Sequence, residues 1–147
     1  MYKKAINEVL DIFIDKFSIL SNSKDTDESR IQKRNVAFEL LSCTTIFKVS
    51  PYYAVEECWN ANNNNGIRSN RTDDGKIDGY FVIGEEENIT VSLVQAKNTN
   101  QIKQNDIELF FSSINKYLIE RKELTKGYES LEKVISRIDK EVDKYPK

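Results

Sequence analysis

The stretch Asp74-Gly75-Lys76-Ile77-Asp78-Gly79-Tyr80-Phe81-Val82-Ile83-Gly84-Glu85, with its continuation Ile89-Thr90-Val91-Ser92-Leu93-Val94-Gln95-Ala96-Lys97, decides how this chain folds. Residues 77–84 and 89–97 are rich in aromatic and β-branched side chains. Glu85, Glu86, Glu87 and Asn88 between them suit an exposed turn, so the pair reads as a β-hairpin. Alternation along the second strand puts Val91, Leu93, Gln95 and Lys97 on one face, an apolar row that turns polar at its last two members. If Gly84 stands opposite Ile89, then Asp78 stands opposite Gln95, and Asp78, Gln95 and Lys97 share a face. A register change of one residue puts Asp78 opposite Val94 and scatters the group. An acid, an amide oxygen and an ammonium at neighbouring strand ends are the parts that hold a divalent metal beside a phosphodiester.

Outward from the hairpin the chain reads as helical. Ala5, Ile6, Val9, Leu10, Ile12, Phe13, Phe17 and Leu20 recur at helical spacing and end before the polar run Ser21 to Ser29, a surface loop. A second helix is predicted from about Ile31 to Val49, with Val36, Ala37, Leu40, Leu41, Thr44 and Phe47 as its apolar face and Pro51 as its break. Glu39 lies inside it, either as a solvated helix glutamate, which periodicity alone favours, or as a carboxylate turned toward the strand ends. Pro51 starts a short helix carrying Ala54, Val55, Cys58 and Trp59, and Asn62 to Gly66 is a turn or loop. A short strand is placed near Ile67 to Arg71. After Lys97 a polar stretch leads to a helix over about Asp106 to Lys122, with Ile107, Phe110, Phe111, Ile114, Tyr117 and Leu118 as its core face. Leu131, Val134, Ile135, Ile138 and Val142 continue as an amphipathic helix almost to Pro146.

Composition limits the chemistry. With 147 residues, 39% hydrophobic and 31% charged, the chain suits one domain with one ordinary core. No apolar run is long enough to span a bilayer and no signal peptide is recognisable, which places the protein in the cytoplasm and off the membrane. Cys43 and Cys58 lack metal-type spacing and read as buried free thiols. The absence of histidine removes His-based general bases, Ser-His and Cys-His pairs and most transition-metal sites, leaving carboxylates, amides, lysines and oxygen-bound metal. Residues 1–51, 52–97 and 98–147 carry net charges of +1, −4 and +1. The acidic excess falls on the segment that holds the hairpin, as a site for a cation would require.

A helix bearing Glu39, then Asp78 within Gly-x-x-Asp-Gly, then Gln95-Ala96-Lys97 at the end of the next strand, then a helix, resembles the core of the PD-(D/E)XK nucleases. The Gln-x-Lys form resembles their Mrr-like restriction endonucleases, and Asp-Gly-Lys-Ile-Asp-Gly-Tyr resembles the nuclease domain of abortive-infection phage-resistance (AIPR) proteins. The resemblance covers residues 31–122, with a helical C-terminal extension over 127–145. It implies an α/β fold, a restriction-endonuclease-like core with a small central mixed β-sheet flanked by helices. It also implies hydrolysis of nucleic-acid phosphodiesters, DNA foremost, with Mg²⁺ or Mn²⁺, in defence against phage.

Carried onto this chain, the resemblance makes Asp78 the main metal carboxylate. Gln95 stands where Glu or Asp is usual, and Ala96 offers its backbone carbonyl. Lys97 orients or helps deprotonate the attacking water, and Glu39 matches an acid that the superfamily places on the preceding helix. Asp73 and Asp74 read as turn residues. Arg68, Arg71 and Lys76 are candidate phosphate contacts, and Lys103, Lys116, Arg121, Lys122 and Lys126 form a second candidate surface. Cutting both strands calls for two sites, which a homodimer supplies. The family's strand after the last helix has no counterpart in the pattern, so either it is absent or the chain is a piece of a longer protein. The competing reading is an inactive domain of the same fold that binds nucleic acid or a protein partner.

Overall fold

The computed structural model describes residues 2–21, 24–60, 62–63, 66–67, 77–85, 88–125, 128 and 131–145. Helix α1 (Tyr2–Lys16) is followed by α2 (Asp27–Phe47) and α3 (Pro51–Glu57). Two short strands follow, β1 (Asn62–Asn63) and β2 (Gly66–Ile67), and then the hairpin of β3 (Gly79–Glu85) and β4 (Asn88–Val94). Helix α4 (Gln104–Ser113) runs into a π-helical segment, Ile114–Ile119, and α5 (Leu131–Val142) ends the described elements.

Local chemistry explains the helix ends. The Thr26 hydroxyl accepts the Ser29 N–H at 3.1 Å, and Asp27 and Glu28 occupy the first turn of α2, where the helix dipole favours acids. This cap moves the start of the helix from the expected Ile31 back to Asp27, into what the polar composition had marked as loop. Lys48 closes α2 in a left-handed conformation, φ 54°, with its N–H on Thr44 O. The Ser50 hydroxyl caps α3 by accepting the Tyr53 N–H, and Pro51 takes the first position, where no N–H is needed.

The hairpin has the anticipated register, with Gly84 opposite Ile89 and Gly79 opposite Val94. On the other edge of β3, Trp59 makes an isolated antiparallel bridge to Gly79. Among the described residues all strand pairing is antiparallel, so the mixed sheet expected from the resemblance is replaced by a two-stranded sheet and the small β1–β2 pair. The two residues between β3 and β4 permit only the antiparallel connection, since a parallel pair needs a crossover of about a dozen residues. Of the strand expected at Ile67 to Arg71, β2 covers Gly66–Ile67, and the rest lies outside the described residues.

Cores form on both faces of β3. Leu10, Ile14, Val36, Ala37, Leu40, Cys43, Ala54, Cys58 and Trp59 fill one, with Phe47 and Phe81 stacked at its edge. Tyr80, Val82, Tyr117, Leu131, Val134 and Ile138 fill the other. Three expected stripes are narrower than their sequence pattern. Ile12 on α1 and Phe111 on α4 are 61% and 62% exposed, and Ile6, Val9, Ile107 and Val142 are also exposed. The reason on α1 is that α2 is its principal neighbour, so one flank stays uncovered. On α4 the inward positions are Phe110, Ser113 and, in the π-helical segment, Tyr117, which leaves Ile107 and Phe111 on a flank.

Candidate active site

At Asp78 the ladder breaks its alternation. Ile77 shares a buried cluster with Tyr80 and Val82, whereas strict alternation would place Ile77 on the opposite face from both. The Asp78 N–H donates to Val94 O at 2.8 Å, the carbonyl of the residue that already faces Gly79. Two residues therefore stand against one, which is a β-bulge. On the other edge the Asp78 carbonyl accepts the Asn60 N–H at 2.9 Å. The expected pairing of Asp78 with Gln95 is thus corrected. The register holds as far as Gly79, and the bulge then sets Asp78 against Val94 and swings its carboxylate onto the Ala96 N–H, with Oδ2 at 2.7 Å. Asp78 is buried, 6% exposed.

Of the two readings of Glu39, the solvated one that periodicity favours is overturned, because its side chain is buried at 8% exposure. Asn35, Glu39 and Cys43 succeed one another at a spacing of four along α2 and so lie on one side of it. Asn35 Oδ1 accepts from Asn98 Nδ2 at 3.2 Å, Glu39 Oε2 accepts from Trp59 Nε1 at 3.3 Å, and Cys43 Sγ lies 4.0 Å from Asp78 O. This approach requires a glycine at 79, since a Cβ there would stand 2.3 Å from Cys43 Sγ. Burial first, then the fields of Cys58, Asp78 and Glu39, push the Cys43 thiol far up, and burial pushes Cys58 up to about 11. Both cysteines are free, buried and protonated at neutral pH, so neither offers a thiolate nucleophile.

Beyond Val94, Gln95 is half-buried, and among the described residues its buried Nε2 has no hydrogen-bond partner. Rotation of the amide by half a turn exchanges nitrogen for oxygen at that place, so Gln95 can present either a donor or a carbonyl oxygen there. Lys97 extends to Asp106 in the first turn of α4, with Nζ 3.9 Å from Oδ2. The structure thus ties Asp78 to Ala96, ties Lys97 to Asp106, and turns Glu39 inward beside Trp59. Arg68, Arg71, Lys76, Asp73 and Asp74 lie outside the described residues. In the second basic surface, Arg121 pairs with Asp139 and Lys122 with Glu120, both at 2.8 Å, and Lys116 lies over the Tyr117 ring. Lys126 is outside the described residues.

Two carboxylates, an amide and a backbone carbonyl would supply oxygen donors only, the kind that hard divalent cations take. Among the described residues no group of three or more Asp, Glu, His or Cys side chains gathers, so such a set depends on Gln95 and Ala96. Periodicity missed Trp59 and Asp106 as members of the site. A buried indole N–H needs an acceptor, which is a signal for Trp59, and an acid in the first turn of the next helix is one for Asp106. Neither signal names its partner.

Among the described residues, fold and site together define a mixed α/β protein with five α-helices, a small antiparallel hairpin and a buried polar cluster at the hairpin's open end. Among the described residues no helix is long and apolar enough to cross a membrane. No protein-family model, curated protein or solved structure matches the chain.

Proposed function

We propose that this chain is a metal-dependent endonuclease of the PD-(D/E)XK class, hydrolysing phosphodiester bonds of DNA in the cytoplasm as a defence against phage or other foreign DNA. The observation that carries the reading is the bulge at Asp78, which turns a buried carboxylate onto the backbone between Gln95 and Lys97. The inward face of α2 adds Glu39, and the order of a helix, a hairpin and a helix around these residues is what the resemblance implies.

Asp78, Glu39, the Gln95 amide and the Ala96 carbonyl would hold Mg²⁺ or Mn²⁺. Such a cation supplies charge neutralisation at the phosphate and lowers the pKa of water. Lys97 orients the attacking water and stabilises charge that builds on the phosphoryl oxygens. Gln95 in place of a carboxylate removes one negative charge, so cation affinity leans on Asp78 and Glu39. A homodimer gives one site per strand.

The test is cleavage of plasmid, linear duplex, single-stranded DNA and RNA with Mg²⁺ or Mn²⁺. Cleavage that Asp78→Ala and Lys97→Ala abolish supports the reading. A second reading, a silent domain of this fold that binds nucleic acid or protein, is favoured by the pairing of Lys97 with Asp106 rather than with Asp78. Binding that survives both substitutions, with no cleavage in either metal, would select it.

A further inference from the structure

We infer that Asp106 is a positioning residue that anchors the Lys97 ammonium at the mouth of the site, an inference that rests on the nuclease reading above. A lysine head on four rotatable bonds gives up much rotamer freedom when it is fixed, so a lysine that acts at one point needs a second group to hold it. Asp106 supplies that group from outside the hairpin. It sits in the first turn of α4, where the helix dipole favours a carboxylate, and its side chain is 20% exposed against 32% for Lys97.

The separation of 3.9 Å matters. It is too long for a hydrogen bond, so Asp106 attracts the ammonium without claiming one of its N–H donors at close range. The three donors stay available to a phosphoryl oxygen and a water. Asp78 Oδ2 meanwhile accepts the Ala96 N–H, so the strand-end carboxylate is anchored by the backbone and the lysine by α4. The two halves of the site are held by different elements. The position of α4 relative to the hairpin then sets where the charge of Lys97 stands.

Two measurements on the full chain test this. The first needs no substrate. Lys97 is labelled with an amine-reactive reagent and its rate is read by mass spectrometry beside Lys103 and Lys122 in the same sample. Asp106→Asn should speed Lys97 several-fold and leave the other two unchanged, and Asp106→Glu should restore the slow rate. Equal Lys97 rates in wild type and Asp106→Asn would overturn the anchoring.

The second is steady-state cleavage. Asp106→Asn should lower kcat about 10- to 100-fold, as loss of a supporting partner does, with KM and the metal midpoint little changed. Adding it to Lys97→Ala should cost nothing more. A fall in thermal midpoint with an unchanged kcat would reduce Asp106 to a helix-start acid and sink the positioning role. Failure of the wild type to cleave any substrate sinks the nuclease reading instead, and the labelling rates still decide the anchoring.

Discussion

Gly79 and Gly84 stand near opposite ends of β3, and a side chain at either would collide. At Gly84 a Cβ would meet the ring of Tyr145 at 2.6 Å, and at Gly79 it would meet Cys43 Sγ at 2.3 Å. Tyr145 lies past the end of α5 and can swing aside, whereas Cys43 is fully buried within α2. The charges differ in the same way. At the turn end Glu141 sits between Arg137 at 3.4 Å and Lys144 at 2.7 Å, all on or next to one helix. At the open end Glu39, Trp59, Asp78 and Ala96 come from four separate segments. Pairs three or four residues apart on a helix form with little outlay. Burying polar groups from distant segments costs desolvation and ordering, and stability alone does not justify it. That contrast is why the nuclease proposal is tested at the open end.

The largest test of the contrast exchanges one acid at each end. Asp78→Asn can still accept the Ala96 N–H, so the fold should hold, while cleavage falls by about 10²–10³-fold as an electrostatic contribution to the transition state is lost. Glu141→Gln should leave cleavage unchanged. Its carboxyl is held below the usual range first by the Lys144 hydrogen bond, and the loss should show only as a small drop in thermal midpoint. Equal kinetic losses at both positions would erase the distinction.

Next in size come the glycines themselves. Gly79→Ala should destabilise by about 1–3 kcal/mol in urea unfolding, because a backbone strand and a buried helix must separate. Gly84→Ala should cost less, since only Tyr145 and Glu141 need to move. Adding Cys43→Ala to Gly79→Ala should recover part of the loss, with a non-additive cycle as the signature of direct contact. Strict additivity would mean that the two do not touch.

How far the sequence could be read follows the same division between local and distant. The hairpin, its register to Gly79, the helices and Pro51 at the start of α3 were all legible, because each depends on residues near one another in the chain. The inward turn of Glu39 was not. It is decided by the missing Cβ of Gly79 and by the indole of Trp59, neither of which periodicity along α2 can register. The bulge at Asp78 was hidden for a related reason. Constant-sum pairing assumes an unbroken ladder, and Asp-Gly reads the same whether or not Val94 accepts two strand positions. The exposure of Ile12 and Phe111 shows the complementary limit, since an apolar stripe says that a helix can be covered and not that a neighbour is present.

The partner of Glu39 offers a finer test. Trp59→Phe keeps most of the ring and removes the N–H that Glu39 Oε2 accepts at 3.3 Å. Loss of that donor beside a buried carboxylate should cost about 1–3 kcal/mol, with the long bond favouring the lower end, and should raise the metal concentration needed for half-maximal cleavage. A change in stability with an unmoved metal midpoint would place Glu39 with the structural acids, and the open end would then rest on Asp78 alone.

The smallest effect concerns a charge group remote from both glycines. Arg34 donates to both carboxylate oxygens of Asp11 through Nε and Nη2, each at 2.8 Å, and Arg30 Nε lies 3.3 Å from Oδ1, clamping α1 to α2. The Arg34 hydrogen bond chiefly holds the Asp11 carboxyl below its ordinary value of 3.8, against an opposing push from burial. Because the folded value is the lower one, the clamp contributes its full stability above the unfolded carboxylate pKa of about 3.9 and loses it as pH falls through the folded value. Asp11→Asn should therefore cost about 0.5–1 kcal/mol at pH 7, the range of a well-formed and partly exposed pair. The difference from wild type should shrink in unfolding titrations below about pH 4. A gap that persists undiminished to pH 2 would mean that Asp11 acts through packing rather than charge.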